Sequence, residues 1–159
     1  MKWGRVAAAL LAFGVFLFPV MVKAQTVASA PLMPVIPEAD VREVINKYIG
    51  QFKAMNYESF IALFSKEAIE NRMLPYNDLA AMYYKMFGET RQLSYDVTID
   101  TIETYTKSAF VAGRYQLIQT LKKDDGMRVY KGKIQWVLVP EDGSLKIIRL
   151  NYGNEKRDD

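Results

Sequence analysis

The chain contains no histidine and no cysteine, and this narrows its chemistry before any motif is sought. Histidine is the usual general base near neutral pH and the commonest metal ligand. Without these two residue types, neither a Ser-His-Asp nor a Cys-His nucleophile can be assembled, and thiolate metal sites are excluded. Proton transfer would have to come from carboxylates, tyrosines or lysines. Glu67 and Glu70 are three residues apart. On a helix that spacing reads first as a solvated acidic face and second as a source for a base. Asp96 and Asp100 fall on the polar side of an alternating segment, which leaves calcium open, although no loop has the Asp/Asn/Gly spacing of a calcium-binding hand. There is no phosphate-binding glycine loop. No metal and no cofactor are expected.

Whatever performs the chemistry must be positioned by the elements around it, and the chain announces these in order. Lys2 and Arg5 precede an apolar run from Val6 to Val22, followed by Val22-Lys23-Ala24. This is the layout of a secretory signal over residues 1–24 with a cut after Ala24, or after Ala30 at a second small-x-small site. The expected location is the periplasm or the exterior. The other reading is an uncleaved membrane anchor over residues 6–22, and the membrane is expected as a partner only in that case. The chain has 21 Lys and Arg against 18 Asp and Glu, and the signal holds three of the basic residues. The mature chain is therefore neutral, with no basic field for nucleic acid. Lys122, Lys123, Arg128, Lys131 and Lys133 cluster around Asp124 and Asp125, as at a solvated hairpin tip.

Residues 25–37 carry Pro31, Pro34 and Pro37 and read as an extended tether. A domain over 38–153 and a charged tail over 154–159 follow. Glu38 and Asp40 suit the positive end of a first helix, with Val41, Val44, Ile45, Tyr48, Ile49, Phe52 and Met55 as one apolar stripe. Asn56 is the expected N-cap of a second helix carrying Phe60, Ile61, Leu63 and Phe64. Ser65 is expected to cap a short turn through Ala68 and Ile69. Pro75 and Asn77 start a third helix, with Leu79, Met82, Tyr83 and Met86 inward and Gly88 as its stop. From Leu93 the period changes to two. Strands are expected at 93–100, 108–121, 129–139 and 145–152, with turns at Asp125-Gly126 and at Pro140 to Gly143. Helices followed by an antiparallel meander predict an α+β domain, three helices covering one face of a curved sheet.

The segments 44–49, 56–65 and 68–71, together with the closing strand 143–150, resemble the nuclear transport factor 2-like superfamily, the cone-shaped α+β fold of ketosteroid isomerases and SnoaL-like proteins. Leu145 stands where many members have Trp. The resemblance implies a polar pocket inside the cone and is weak for function, because the fold hosts enzymes and inert modules alike. Ketosteroid isomerases use a tyrosine on the first helix, an aspartate base after the second, and a protonated aspartate on a late strand. The matching positions here are Tyr48, Asn71 and Gln135. Asn cannot act as a base and Gln is no acid, so the resemblance implies a pocket of similar shape without the isomerase chemistry. Tyr48 reads equally as a core tyrosine.

A two-residue Asp125-Gly126 loop would set Gln116 opposite Gln135 and Tyr115 opposite Trp136. Arg114, Gln116 and Gln135 then share one sheet face, and Tyr115, Leu117, Ile134, Trp136 and Leu138 the other. The resemblance directs the Gln135 face into the cone, where Arg114 would bind an anion or carboxylate or pair with an acid such as Glu70. Hydrophobicity directs the Trp136 face to the helices. If the Gln135 face lines the cone, the Trp136 face becomes a homodimer interface. Tyr152 is placed at the cavity mouth or in packing.

Two functions follow. The first is an exported, non-catalytic module of the cell envelope that binds a small molecule, a cell-wall fragment or an envelope protein, through pocket residues Tyr48, Asn71, Arg114, Gln116, Gln135 and Tyr152. It expects no proton-transfer group inside the cone. The second is an isomerase, hydratase or cyclase with Glu70 or Asp96 as base and Tyr48 as donor.

Overall fold

The computed structural model describes residues 35–154, so the expected signal, nearly all of the expected tether and most of the expected tail lie outside the described residues. Ile36 is buried and its N–H donates to the Tyr105 carbonyl (3.1 Å), so the domain is closed from its first described turn. Helix α1 (Glu38–Lys53) carries the expected stripe inward, with Val41, Ile45, Tyr48 and Phe52 all buried. Asn56 caps α2 (Tyr57–Ile61) by accepting from the Ser59 N–H at 3.3 Å. That helix is shorter than expected.

Phe64 opens strand β1 (Phe64–Glu70) in place of the expected helix end and Ser65-capped turn. The reason is long-range. β1 runs parallel to the last strand, a pairing that local propensity does not reveal. A short β2 (Leu74–Pro75) leads into α3 (Tyr76–Glu89). This helix runs one residue past Gly88, and Lys122 secures its end, its N–H donating to the Glu89 carbonyl and its Nζ to that of Gly88.

Four long strands follow, β3 (Thr90–Thr104), β4 (Ala109–Leu121), β5 (Met127–Glu141) and β6 (Ser144–Asn154). The six-stranded sheet has the order β2-β1-β6-β5-β4-β3, antiparallel except for β1 beside β6. The register shifts between Ile99 and Thr101, opposite Gly113. A Cβ on Gly113 would lie 2.4 Å from the Thr98 carbonyl oxygen, so only glycine allows this close approach.

The tight Asp-Gly hairpin sits between β5 and β6, where Glu141 pairs with Ser144 across Asp142 and Gly143, both left-handed. The Asp125-Gly126 turn is wider than expected. Thr120 pairs with Met127, and the Asp124 side chain accepts from the Gly126 N–H. Gln116 therefore faces Lys131, and Gln135 faces Ala112. The offset from the expected register is four residues, an even number, so the division of side chains between the two faces is unchanged.

Hydrophobicity decides which face is inward. Trp136 is fully buried, edge-on to Tyr48 with ring centroids 5.5 Å apart. Tyr115, Leu117, Ile134 and Leu138 are buried with it. The helices cover this face, so Trp136 is not available to a second copy. A cluster of rings, Tyr48, Phe52, Phe60, Tyr83, Phe87 and Tyr95, joins α1, α2 and α3 to the sheet.

Candidate functional site

Between the helices and the inner sheet face lies a cavity of about 380 Å³, at the small end of the range for ligand pockets. Aromatic rings make up nearly half of its lining, with Tyr48 and Phe52 from α1, Tyr83 from α3, and Tyr95, Tyr115, Tyr130 and Tyr152 from the sheet. Met82, Met86, Leu117 and Ile134 fill the gaps between the rings, and Gln119, Lys85, Glu89 and Arg128 add polar groups. Inward-facing alternate positions of β4 (Tyr115, Leu117, Gln119) and β5 (Arg128, Tyr130, Ile134) supply most of the sheet's share, with one residue each from β3 and β6.

Behind this wall is an acid. Glu70, the last residue of β1, is 1% exposed. Its Cα partner is Leu150 on β6. The Tyr152 hydroxyl, two residues further along β6, donates to Glu70 Oε1. Oε2 is buried and has no hydrogen-bond partner among the described residues. Burial pushes the Glu70 carboxyl above its usual range, and interaction with the Tyr152 and Tyr83 hydroxyls partly offsets that push. Burial likewise raises Tyr48, Tyr83, Tyr95 and Tyr152, with the neighbouring Glu70 charge adding to the effect on Tyr48, Tyr83 and Tyr152. These four phenols keep their protons at neutral pH and serve as donors.

A buried carboxyl thus stands one hydrogen bond behind the cavity wall, reached through Tyr152 rather than facing the hollow itself. The strand β1, which local reading took for a turn, aims Ala68 and Glu70 inward and exposes Lys66, Glu67 and Ile69. Glu67 and Glu70 consequently do not share a solvated helical face. Even read as a strand, the alternation would have sent the larger apolar Ile69 inward and Glu70 out, so no local signal points to this buried acid.

The six sequence-derived pocket residues divide. Tyr48 and Tyr152 line the cavity. Asn71 does not; it follows Glu70 with φ 48° and, with Arg72 at φ 64°, turns the chain between β1 and β2. Its Oδ1 accepts from the Tyr152 N–H at 2.8 Å, and its own N–H donates to the Leu150 carbonyl at 2.8 Å. Asn71 is thus a clamp that holds β6 in place. Arg114, Gln116 and Gln135 lie on the outer sheet face, because the buried partners of that sheet are on the Trp136 side. Arg114 binds Asp100 through two nitrogens, Nη2 to Oδ1 at 2.9 Å and Nε to Oδ2 at 3.1 Å, rather than Glu70 or a cavity anion. Asp96, the other base considered, is exposed beside Lys53. Among the described residues no cluster of three acids could hold a metal ion. Sequence reasoning missed Tyr83, Tyr95, Tyr115 and Arg128 as cavity residues, since each reads locally as core or surface.

No protein-family model matches the chain, and no curated protein matches it by sequence. Solved structures do match it. A nuclear transport factor 2-like superfamily protein from Salmonella enterica is similar with a TM-score of 0.66 at 16% identity, covering 77% of this chain and 93% of that one. A ketosteroid isomerase-like protein from Erwinia carotovora gives 0.61 at 17% identity, covering 73% and 94%. A protein assigned as a scytalone dehydratase from Novosphingobium aromaticivorans gives 0.62 at 16% identity, covering 74% and 83%. Three helices on one face of an open, mixed six-stranded sheet, with the cavity between them, give this chain the nuclear transport factor 2-like fold.

Proposed function

We propose that the domain binds a small ring compound in the tyrosine-lined cavity and moves a proton on it, the chemistry of an isomerase, dehydratase or cyclase. The single observation that carries this reading is Glu70, a carboxylate buried in the cone and bonded to a tyrosine that lines the cavity. A carbon-bound proton of the ligand passes to the Tyr152 oxygen as the Tyr152 proton passes to Glu70 Oε1. The electron pair left on the ligand moves onto its own oxygen, where the protonated wall tyrosines donate to it. Burial raises the proton affinity of Glu70 above that of an ordinary carboxylate, which makes it a stronger proton acceptor. Enzyme-like neighbours among the solved structures are consistent with this, and similarity of fold alone does not carry it.

One observation favours a binding module instead. Glu70 itself is not part of the cavity wall, so a ligand meets Tyr152 first. Deuterium exchange separates the two. Wild-type protein in D2O should exchange the α-protons of at least one of a panel of small cyclic ketones, followed by NMR. The Glu70→Gln variant should lose at least about a hundredfold of that rate. No exchange above the protein-free control, or equal rates in both proteins, leaves a non-catalytic pocket.

The export reading stays a proposal supported by the charged and apolar pattern of residues 1–24. It carries with it the cell envelope as location, and a cell-wall fragment or envelope protein as partner. Fractionation of cells expressing the full chain checks it, since a cytoplasmic product of full length would exclude export.

A further inference from the structure

Charged side chains stand at the exposed rim of the cavity, and one buried carboxyl lies behind its wall. Inside, behind Tyr152 and Tyr83, is the Glu70 carboxyl. At the rim stand Arg128 and Lys85, with Glu89 beside Lys85. Arg128 occupies an inward position of β5 opposite Gln119 of β4, close to the hairpin tip, and is exposed. It forms no hydrogen bond or ion pair among the described residues. Lys85 has only a long contact of 3.9 Å to Glu89, and both side chains are largely exposed. The rim therefore carries two cations against one acid.

We propose that the ligand is a planar ring compound bearing a carboxylate, held with its ring among the tyrosines and its carboxylate on Arg128. A full carboxylate placed deep in the cavity would lose its water and lie close to the Glu70 carboxyl buried behind Tyr152. The same anion at the rim meets the guanidinium of Arg128, whose planar fork matches a carboxylate with two parallel hydrogen bonds. The apolar part of the ligand then replaces water against the rings and the Met82 and Met86 side chains. This inference rests on the reading of the cavity as a ligand site and adds to it the charge of the ligand. It does not depend on whether a proton is moved.

The test uses the full-length protein and three probes of nearly one shape, naphthoate, naphthamide and naphthylmethylamine, titrated by calorimetry. Naphthoate should bind about five- to tenfold more tightly than naphthamide, a modest gain because the rim is partly solvated, and the cationic amine should bind most weakly. The Arg128→Gln variant should erase the naphthoate preference and leave naphthamide affinity unchanged; its side chain is exposed, so the fold is retained. Added salt should shrink the preference in the wild type and leave the variant unmoved. Equal affinity for naphthoate and naphthamide overturns the proposal. So does a preference that survives in Arg128→Gln, or an absence of naphthoate binding. Failure of the proton-transfer reading looks different: deuterium exchange is then absent while the naphthoate preference remains, in Glu70→Gln as in the wild type.

Discussion

Asn71 offers the sharpest quantitative test, because the position that resemblance assigns to a catalytic base is occupied here by a structural clamp. Replacing it with alanine does two things. It places an ordinary residue at φ 48°, a left-handed conformation that costs a residue other than glycine or asparagine about 1–2 kcal/mol. It also removes the acceptor of the part-buried Tyr152 N–H, a bond of 2.8 Å, and a donor left without a partner costs about 1–3 kcal/mol. Taking the lower part of both ranges, since the turn is near the surface, Asn71→Ala should lose about 2–3 kcal/mol. Asn71→Gly removes the hydrogen bond without the backbone strain and should be less damaging by about 1 kcal/mol. Asn71→Asp keeps an acceptor at the same place and should stay within about 1 kcal/mol of the wild type. Urea unfolding followed by circular dichroism measures all three, with an unchanged slope expected across the set. Should Asn71→Ala be as stable as the wild type yet bind probe ligands poorly, the clamp is the wrong description and Asn71 belongs to the pocket. Equal loss in the alanine and glycine variants would remove the backbone part of the reasoning.

Two further outcomes follow from burial. Trp136→Ala should cost about 3–5 kcal/mol, because the ring is fully enclosed against Tyr48. Gln135→Ala, one residue away on the exposed face, should change stability by less than about 0.5 kcal/mol, and the reverse order would mean that the sheet faces are exchanged. For Glu70, the folded-state carboxyl holds its proton more tightly than the usual value of 4.5, so the native state binds more protons than the unfolded chain through that window. The associated stability is fully present below the unfolded value and is lost as pH rises through the folded one. Each tenfold rise in proton affinity is worth about 1.4 kcal/mol. Urea midpoints of the wild type and Glu70→Gln, taken from about pH 4 to about pH 8, should diverge, with the wild type losing ground as pH rises. A difference that stays constant across the range contradicts a buried, proton-hungry Glu70.

The six pocket residues chosen from sequence show where resemblance and physics part. Tyr48 and Tyr152 line the cavity, each an inward residue of a well-formed element. Gln135 follows from the family resemblance, and Arg114 and Gln116 share its face by strand pairing, against the hydrophobic pattern of the two strands. The pattern was the better guide, because burying Trp136, Ile134 and Leu138 stabilises the domain far more than burying two amides and a guanidinium. The second helix and the turn after it failed for a different reason. Phe64 to Glu70 is a strand only because β6 lies beside it, some eighty positions later in the chain.

Periodicity alone settled the α+β class, the inward stripe of α1, the cap at Asn56, the start of α3 and the division of the β4 and β5 side chains between two faces. These depend on contacts a few residues apart, or on a two-residue alternation that survives an even slip in register. The absence of histidine and cysteine likewise set the chemistry to carboxylates and phenols without any structure. Only the folded molecule decided that Glu70 is an interior acid, that Tyr83, Tyr95 and Tyr115 close a cavity with Tyr48 and Tyr152, and that Arg128 rather than Arg114 stands at its rim. Each of those facts is fixed by which strand lies beside which, and strand neighbours distant in sequence are selected by the total burial of the sheet rather than by any local stretch of the chain.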